Sequence, residues 1–311
     1  MAKSVLSAPH FQNEEAAFAY VEAKLWPTGP VCPFCGERER IGVLNGKTTR
    51  PGLRKCYACK KPFTVRIGTI FESSHLALHL WLQVIHLMGA SKKGISTRQI
   101  QRMLQCSMKT AWFLTHRIRE AMAPTDGAAP LGGLGKIVEA DETEIVPSRK
   151  SKVFNRSKRS LRPRFVALVE RDGKVRSKVI TEHGMHEVRQ AVRDNLAEGS
   201  ILHTDGAQAY KFLMPIGQHA SVDHDKMFVR DSNNGRVHVN TAEGYFSIFK
   251  RGLVGTYQHM GSQHLHRYLA EFDFRANTRE KLGFNDVSRA EMALQGFKGK
   301  RLTYETTGAA Q

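Results

Sequence analysis

Two Cys-x-x-Cys pairs, Cys32-Pro-Phe-Cys35 and Cys56-Tyr-Ala-Cys59, stand 20 residues apart near the start of the chain. Nothing else in the sequence constrains the fold as tightly. Each pair makes a tight knuckle in which two thiolates approach one ion while backbone N–H groups face the sulfurs. Two knuckles supply the tetrahedral set of four sulfurs that Zn²⁺ prefers. The flanking Ile41-Gly-Val-Leu and Phe63-Thr-Val-Arg-Ile67 suit the short strands of a ribbon. A redox dithiol needs one such pair, not two at ribbon spacing. Four thiolates leave no open coordination position, so the expected zinc is structural. Four of the five cysteines are used in this way. Cys106, alone in an apolar helical context, reads as core.

The chain carries 47 Lys and Arg against 29 Asp and Glu, a net charge of +18. Such an excess attracts polyanions, and nucleic acid is the first candidate; the bland alternative is a merely basic enzyme. Hydrophobic residues at 41% and charged residues at 24% are those of an ordinary globular chain, which excludes wholesale disorder, a collagen repeat and a long coiled coil. A length of 311 residues suggests about two domains. The first ten residues lack the apolar run of a signal peptide. The most apolar stretch, 76–88, is broken by His79, Gln83 and His86 and is too short to span a bilayer. A cytoplasmic, nucleoid-associated protein with no membrane partner is expected.

The spacing predicts a helix within 1–25, capped by Asn13, with Ala17, Tyr20, Val21 and Leu25 on one face. The zinc ribbon takes 26–72. The segment 73–123 reads as all helical. Ser73 or Ser74 caps a buried helix that Gly89 stops. The capping box Ser96-Thr-Arg-Gln99 opens a helix over 97–104, and Ser107 caps a third helix to about Met122. Two short helices, a tight turn and a basic second helix describe a helix-turn-helix, with Lys109, Thr110 and Arg117 outside the apolar stripe and available to DNA. An Ala-, Pro- and Gly-rich linker fills 124–135. A mixed domain follows over 136–282, and 283–311 reads as a basic C-terminal tail, poorly anchored from about Gly296. The fold class is a multidomain α+β or α/β chain.

Within the mixed domain, acids stand where basic residues dominate. Lys136-Ile-Val-Glu-Ala-Asp141-Glu142 reads as a strand ending in carboxylates. A basic loop over 147–164 follows, carrying Arg149, Lys150, Lys152, Arg156, Lys158, Arg159, Arg162 and Arg164. A hairpin turns at Arg171-Asp-Gly173, then come a helix near 186–196 and the buried strand Ser200-Ile-Leu-His-Thr-Asp205. Ala220-Ser-Val-Asp223 reads as another short strand. On a helix starting near Asn240, the residues Asn240, Glu243, Ser247 and Lys250 share one face, and Ala242, Tyr245, Phe249 and Leu253 the opposite one.

The order strand–Asp141, hairpin, helix, strand–Asp205, helix–Glu243, with Lys250 seven residues later, resembles the ribonuclease-H-like catalytic core of DDE transposases. More closely, the chain is similar to bacterial insertion-sequence transposases with an N-terminal zinc ribbon. The matching elements are Cys32-Pro-Phe-Cys35-Gly36, Cys56-Tyr-Ala-Cys59, Val138-Glu-Ala-Asp141-Glu142-Thr143, His203-Thr-Asp205-Gly206, the segment from His238 to Lys250, and a closing helix around His264-Leu-His-Arg-Tyr-Leu-Ala-Glu-Phe-Asp-Phe-Arg275-Ala-Asn277. The resemblance implies a mixed β-sheet flanked by helices. It implies that Asp141, Asp205 and Glu243 hold Mg²⁺ or Mn²⁺, that Lys250 holds a DNA phosphate, and that water and then a DNA 3′-OH attack phosphodiesters at one site. Some relatives use Asn as the third residue, which makes Asn240 the alternative to Glu243. The implied partners are double-stranded DNA and a second copy of the chain on it. No P-loop is present, in keeping with a reaction that consumes no nucleotide. A non-catalytic DNA-binding regulator and a nuclease that cuts without joining are the competing readings.

Overall fold

The computed structural model describes residues 4–124, 127–145, 163–181, 184–210, 217–222, 229–232 and 235–300. It falls into two units, Met1–Ala123 with Asn285–Gln311, and Pro124–Phe284. The basic residues Arg149, Lys150, Lys152, Arg156, Lys158, Arg159 and Arg162 lie outside the described residues, as do Asp223 and everything after Lys300.

The first unit opens with a single turn, α1 (Pro9–Gln12), and α2 (Glu14–Leu25). The Asn13 side chain accepts the backbone N–H of Ala16, and Glu14 and Glu15 place negative charge at the positive end of the helix dipole. Phe18 joins Ala17 and Val21 in the core, while Tyr20 and Leu25 are only half-buried; the expected face is rotated by this aromatic. A three-stranded antiparallel ribbon follows, β1 (Ile41–Val43), β2 (Arg54–Cys56) and β3 (Pro62–Phe63).

Helix α3 (Leu78–Ala90) is buried nearly all round, yet neither Ser73 nor Ser74 caps it. Ser74 instead accepts from the Trp81 indole N–H. The capping role passes to Glu14, whose carboxylate accepts the backbone N–H of His79 across the unit. Gly89 is not a stop; it is buried inside the helix, and its carbonyl accepts from Arg289. Helix α4 (Thr97–Leu104) is capped by Ser96, a left-handed Gln105 turns the chain, and Ser107 caps α5 (Met108–Met122). Cys106 in this turn is half-buried.

The C-terminal segment is not a loose tail as far as it is described. Asn285 and Ser288 form a reciprocal capping box for a helix over Asp286–Gln295 that packs on α3, α2 and α5. Beyond it, Phe297 is fully buried edge-on to Phe71 at 4.9 Å. Lys300 donates to the last carbonyls of α5. Composition alone does not show this anchoring, because only Ala293, Leu294 and Phe297 carry it while Val287 and Met292 stay exposed.

In the second unit, a short strand β4 (Leu131–Gly132) leads to the central strand β5 (Ile137–Glu144). Strands β6 (Arg164–Glu170) and β7 (Val175–Ile180) form the expected hairpin, turning through a left-handed Asp172. Helix α6 (Met185–Asn195), strand β8 (Leu196–Ala197), β9 (Ser200–Thr204) and β10 (Gly217–Ser221) follow. The sheet runs β10-β9-β5-β6-β7, with β5 antiparallel to β6 and parallel to β9. A separate hairpin, β11 (Arg230–Ser232) with β12 (Gly235–Val237), precedes α7 (Asn240–Gly252). A π-helical turn over Leu253–Tyr257 then leads to α8 (Leu265–Asn277).

Strand alternation divides the sheet into two apolar faces. Val138, Ala140, Val166 and Leu168 pack with Val188, Ala191 and Val192 of α6. Ile145, Phe165, Ala167 and Val169 pack with Ala242, Tyr245 and Phe249 of α7, with Leu253 of the following turn and with α8. The sheet is therefore a middle layer with helices on both sides. No helix among the described residues is long and apolar enough to cross a membrane.

Candidate functional site

The cysteine knuckles meet as their spacing predicts. Cys32 Sγ lies 3.7 Å from Cys59 Sγ and Cys35 Sγ 3.6 Å from Cys56 Sγ, and all four sulfurs fall within 4.8 Å of one another. A tetrahedron with Zn–S bonds of about 2.3 Å has edges of about 3.8 Å, so the quartet is at zinc-binding spacing. The backbone N–H groups of Cys59 and Ala58 point at the Cys56 sulfur and pull that thiol down to about 7, favouring the thiolate a metal needs. Cys32, Cys56, Phe63 and Trp26 close the small core around it.

The second unit gathers acids from three elements. Asp141 lies on β5 and Asp205 directly after β9. Each stands two residues beyond the last paired positions of those parallel strands, Glu139 and His203, so the register itself brings them side by side. Glu243 lies in the first turn of α7, which packs on β5 and β6. An open cleft of about 670 Å³ is lined by Asp141, Glu142 and Thr143 of β5, by Glu243, Phe246, Ser247, Lys250 and Arg251 of α7, and by Val254 of the π-helical turn.

Burial pushes the Asp141 carboxyl up to about 7, and the negative charges of Asp205, Glu142 and Glu243 add to the rise against one hydrogen bond from the Glu142 N–H. Glu142 is raised too, by burial and by Asp205, with Arg164 opposing. Asp141 thus feels the charges of both Asp205 and Glu243. Among the described residues, the cysteines are the only group of three or more possible ligands whose ligand atoms all lie within 4.8 Å; the acids are more widely spaced.

Of the other expected residues, Lys109 and Thr110 are exposed as expected, whereas Arg117 is not. Asn240 is exposed at the start of α7, outside the cleft lining, and does not cap the helix. Lys109 and Thr110 are exposed on the first turn of α5. Arg117 is a correction: only 6% of it is exposed, and its guanidinium donates to the carbonyls of Ile70 and Glu72 and lies over the Phe113 ring. It is not available to DNA, because the loop before α3 needs it to satisfy its own buried carbonyls. Arg164 opens β6 and pairs with Glu144.

Two participants carried no signal of their own. Tyr210 is fully buried, feels the charges of Glu142, Asp141 and Asp205, and its hydroxyl has no hydrogen-bond partner among the described residues. Glu139, also fully buried, holds the start of α7.

The chain matches the ISXO2-like transposase domain over residues 130–277 and the transposase zinc-ribbon domain over residues 12–62. It is also 26% identical over 292 residues to an uncharacterized protein in transposable element ISH50 of Halobacterium salinarum, an alignment covering 88% of this chain and 94% of that one. The acidic cleft lies inside the first matched region and the cysteine quartet inside the second, and the chain belongs to the insertion-sequence transposases that carry an N-terminal zinc ribbon.

Proposed function

We propose that this transposase binds the terminal inverted repeats of its insertion sequence and performs metal-dependent DNA cleavage and strand transfer at the cleft of Asp141 and Glu243, joined by the neighbouring Asp205, which lies outside the cleft lining but acts on Asp141 by its charge. One observation carries the reading: burial and three neighbouring acids raise the Asp141 carboxyl to about 7 in a chain with a net charge of +18. Acids in so basic a protein ordinarily pair with Lys or Arg. Here three elements bring them together at a cost in repulsion, which is the signature of a site built for cations. The mixed sheet with helices on both faces supports a ribonuclease-H-like core.

The donor set suits a hard cation, since all three side chains offer carboxylate oxygens. Asp141, which feels the charges of both other acids, would hold the cations together with Asp205 and Glu243. Bound there, a pair of Mg²⁺ or Mn²⁺ ions supplies Lewis-acid stabilisation of the attacking and leaving oxygens of an in-line displacement. Lys250 and Arg251 on the exposed side of the cleft grip DNA phosphate and fix its approach. In the first step a water oxygen bonds to phosphorus at the element end as the bond to the 3′ oxygen breaks, leaving a 3′-OH. In the second, that 3′ oxygen bonds to a target phosphorus as a target P–O bond breaks. Bonds made equal bonds broken, and no nucleotide is consumed.

The α4–turn–α5 pair acts as a helix-turn-helix that presents Lys109 and Thr110, and the zinc ribbon assists it in reading the repeats. The basic segment 147–162 tracks phosphates without reading sequence. Joining two ends requires at least two copies on DNA.

Incubation of the protein with labelled terminal-repeat duplex, target DNA and Mg²⁺ tests the proposal. Nicking at the element end and a joined product are expected. Asp141→Asn and Asp205→Asn should bring both products below detection while duplex binding persists, since the lost charge repelled phosphate. Wild-type nicking by either variant refutes the site. Nicking without joining identifies a nuclease, and binding without either identifies a regulator.

A further inference from the structure

Two residues before Asp141, on the same face of β5, stands Glu139 with no exposed surface. Its carboxylate is engaged from all sides. One oxygen accepts the backbone N–H groups of Thr241 and Ala242 at 2.7 and 3.1 Å. The other accepts the Thr241 hydroxyl at 2.9 Å and the Arg171 Nε at 2.7 Å, with His238 Nδ1 at 3.2 Å. Helix α7 has no side-chain cap of its own, since Val239 occupies the capping position. Glu139 therefore caps it from a strand a hundred residues away, and a carboxylate at that end also meets the positive pole of the helix dipole.

Arg171 completes the arrangement. Beyond Glu139, its guanidinium donates to His203 Nδ1 at 3.1 Å and to the carbonyls of His238 at 3.2 Å and Arg236 at 2.9 Å. His203 is the register partner of Glu139 and stands two residues before Asp205. Each of the three acids thus has a near neighbour in one hydrogen-bonded cluster: Glu139 for Asp141, His203 for Asp205, and Thr241 for Glu243.

We infer that Glu139 and Arg171 are positioning residues that fix β5, β9 and α7 at the spacing in which the three acids bind divalent cations. The inference rests on the reading of those acids as the cation ligands. The physical argument is one of preorganisation. Three mutually repelling carboxylates push their elements apart, and the outer partners that hold ligands in place commonly govern metal affinity by about 10–100-fold. The Glu139–Arg171 pair supplies that restraint with buried, charge-assisted bonds. It touches neither cation nor DNA.

Mn²⁺ binding to the full chain, followed by electron paramagnetic resonance, provides the test, with thermal melting to verify folding. Wild type should bind Mn²⁺ and Asp141→Asn should lose it. Glu139→Gln, which keeps one accepting oxygen but breaks the pair with Arg171, should weaken binding by about 10-fold or more. Thr241→Val, which keeps the backbone bond and the side-chain volume, should weaken it in the same direction by less, in a protein that melts as wild type does. Nicking by both should recover as Mn²⁺ is raised, whereas Asp141→Asn should not recover. A role confined to stability would lower the melting temperature and leave Mn²⁺ affinity untouched. If Glu139→Gln fails to fold, Thr241→Val decides alone. Wild-type Mn²⁺ affinity in the folded variants overturns the positioning role while Asp141→Asn still loses Mn²⁺. If Asp141→Asn binds Mn²⁺ as wild type does, the assignment of the acids falls, and this inference with it.

Discussion

Asp141 is the residue at which sequence, burial and charge meet. In an unfolded chain its carboxyl ionises near 4; in the folded protein burial, then Asp205, Glu142 and Glu243, hold it near 7. Between those values the folded state binds a proton that the unfolded state has released. Its contribution to stability is therefore complete below about pH 4 and is lost as pH rises through about 7, a penalty on the order of a few kcal/mol. In buffer without divalent cations other than the zinc, the melting temperature of wild type relative to Asp141→Asn should fall as pH rises across this window; the comparison removes the opposite contribution of His203, His219 and the other histidines whose ionisation burial opposes. Added Mn²⁺ should raise the melting temperature more at pH 8 than at pH 5, because the ion neutralises the ionised carboxylates. Thermal melts at pH 5, 6, 7 and 8 with and without Mn²⁺ check this, and a pH-independent Mn²⁺ shift would refute it. Arg117 marks the opposite case. Helical periodicity placed it off the apolar stripe, but periodicity cannot see carbonyls from another segment, and those of Ile70 and Glu72 claim it.

Helix α7 divides what is legible in a sequence from what is not. Its core face of Ala242, Tyr245 and Phe249, continued by Leu253 in the turn that follows, agrees with 3.6-residue spacing, and all four are buried. The cleft face follows too, for Glu243, Ser247 and Lys250 line the acidic opening together. Its start does not follow. Asn240 is the natural local candidate for the cap, yet the N–H groups go to Glu139, and no local rule identifies a partner a hundred residues away. The same happens at α3, where Glu14 replaces Ser73 and Ser74. Motif spacing found the zinc quartet and the acid-bearing strands because each is a local pattern. The buried cluster of Glu139, Arg171 and His203 was hidden because it exists only once β5 and β9 are in register. Glu243 lines the cleft and Asn240 does not, which favours Glu243 as the third ligand of the proposed site. Glu243→Gln should abolish cleavage in Mg²⁺, whereas Asn240→Ser should cleave within about twofold of wild type, since Asn240 neither caps the helix nor lines the cleft. An active Glu243→Gln beside an inactive Asn240→Ser, in the same nicking assay, would transfer the role to Asn240.

At the scale of the whole molecule the charge decides. An excess of 18 positive charges over 311 residues is held by two units, each with its own core and its own centre, one of sulfur and one of carboxylate. The carboxylate centre repels DNA on its own, so the surrounding basic surface has to supply the attraction. Binding driven by phosphate contacts releases condensed cations from the duplex, and its logarithm falls with the logarithm of salt at a slope of about 0.9 per contact. Affinity for duplex of arbitrary sequence should therefore drop steeply between low and physiological salt. Arg156, Lys158 and Arg159 fall within the most basic stretch of the sequence. Replacing all three with Ala should flatten the slope by up to about 2.7 and weaken terminal-repeat and arbitrary duplex by the same factor, because a phosphate contact carries no sequence information. The expected split is thus between residues that set affinity everywhere and exposed residues of α5, Lys109 and Thr110, whose replacement should narrow the preference for terminal repeats. Fluorescence anisotropy over a salt series, on both duplexes and with both sets of variants, measures the two quantities separately. A triple variant with an unchanged slope would show that the 147–162 segment does not carry the DNA backbone.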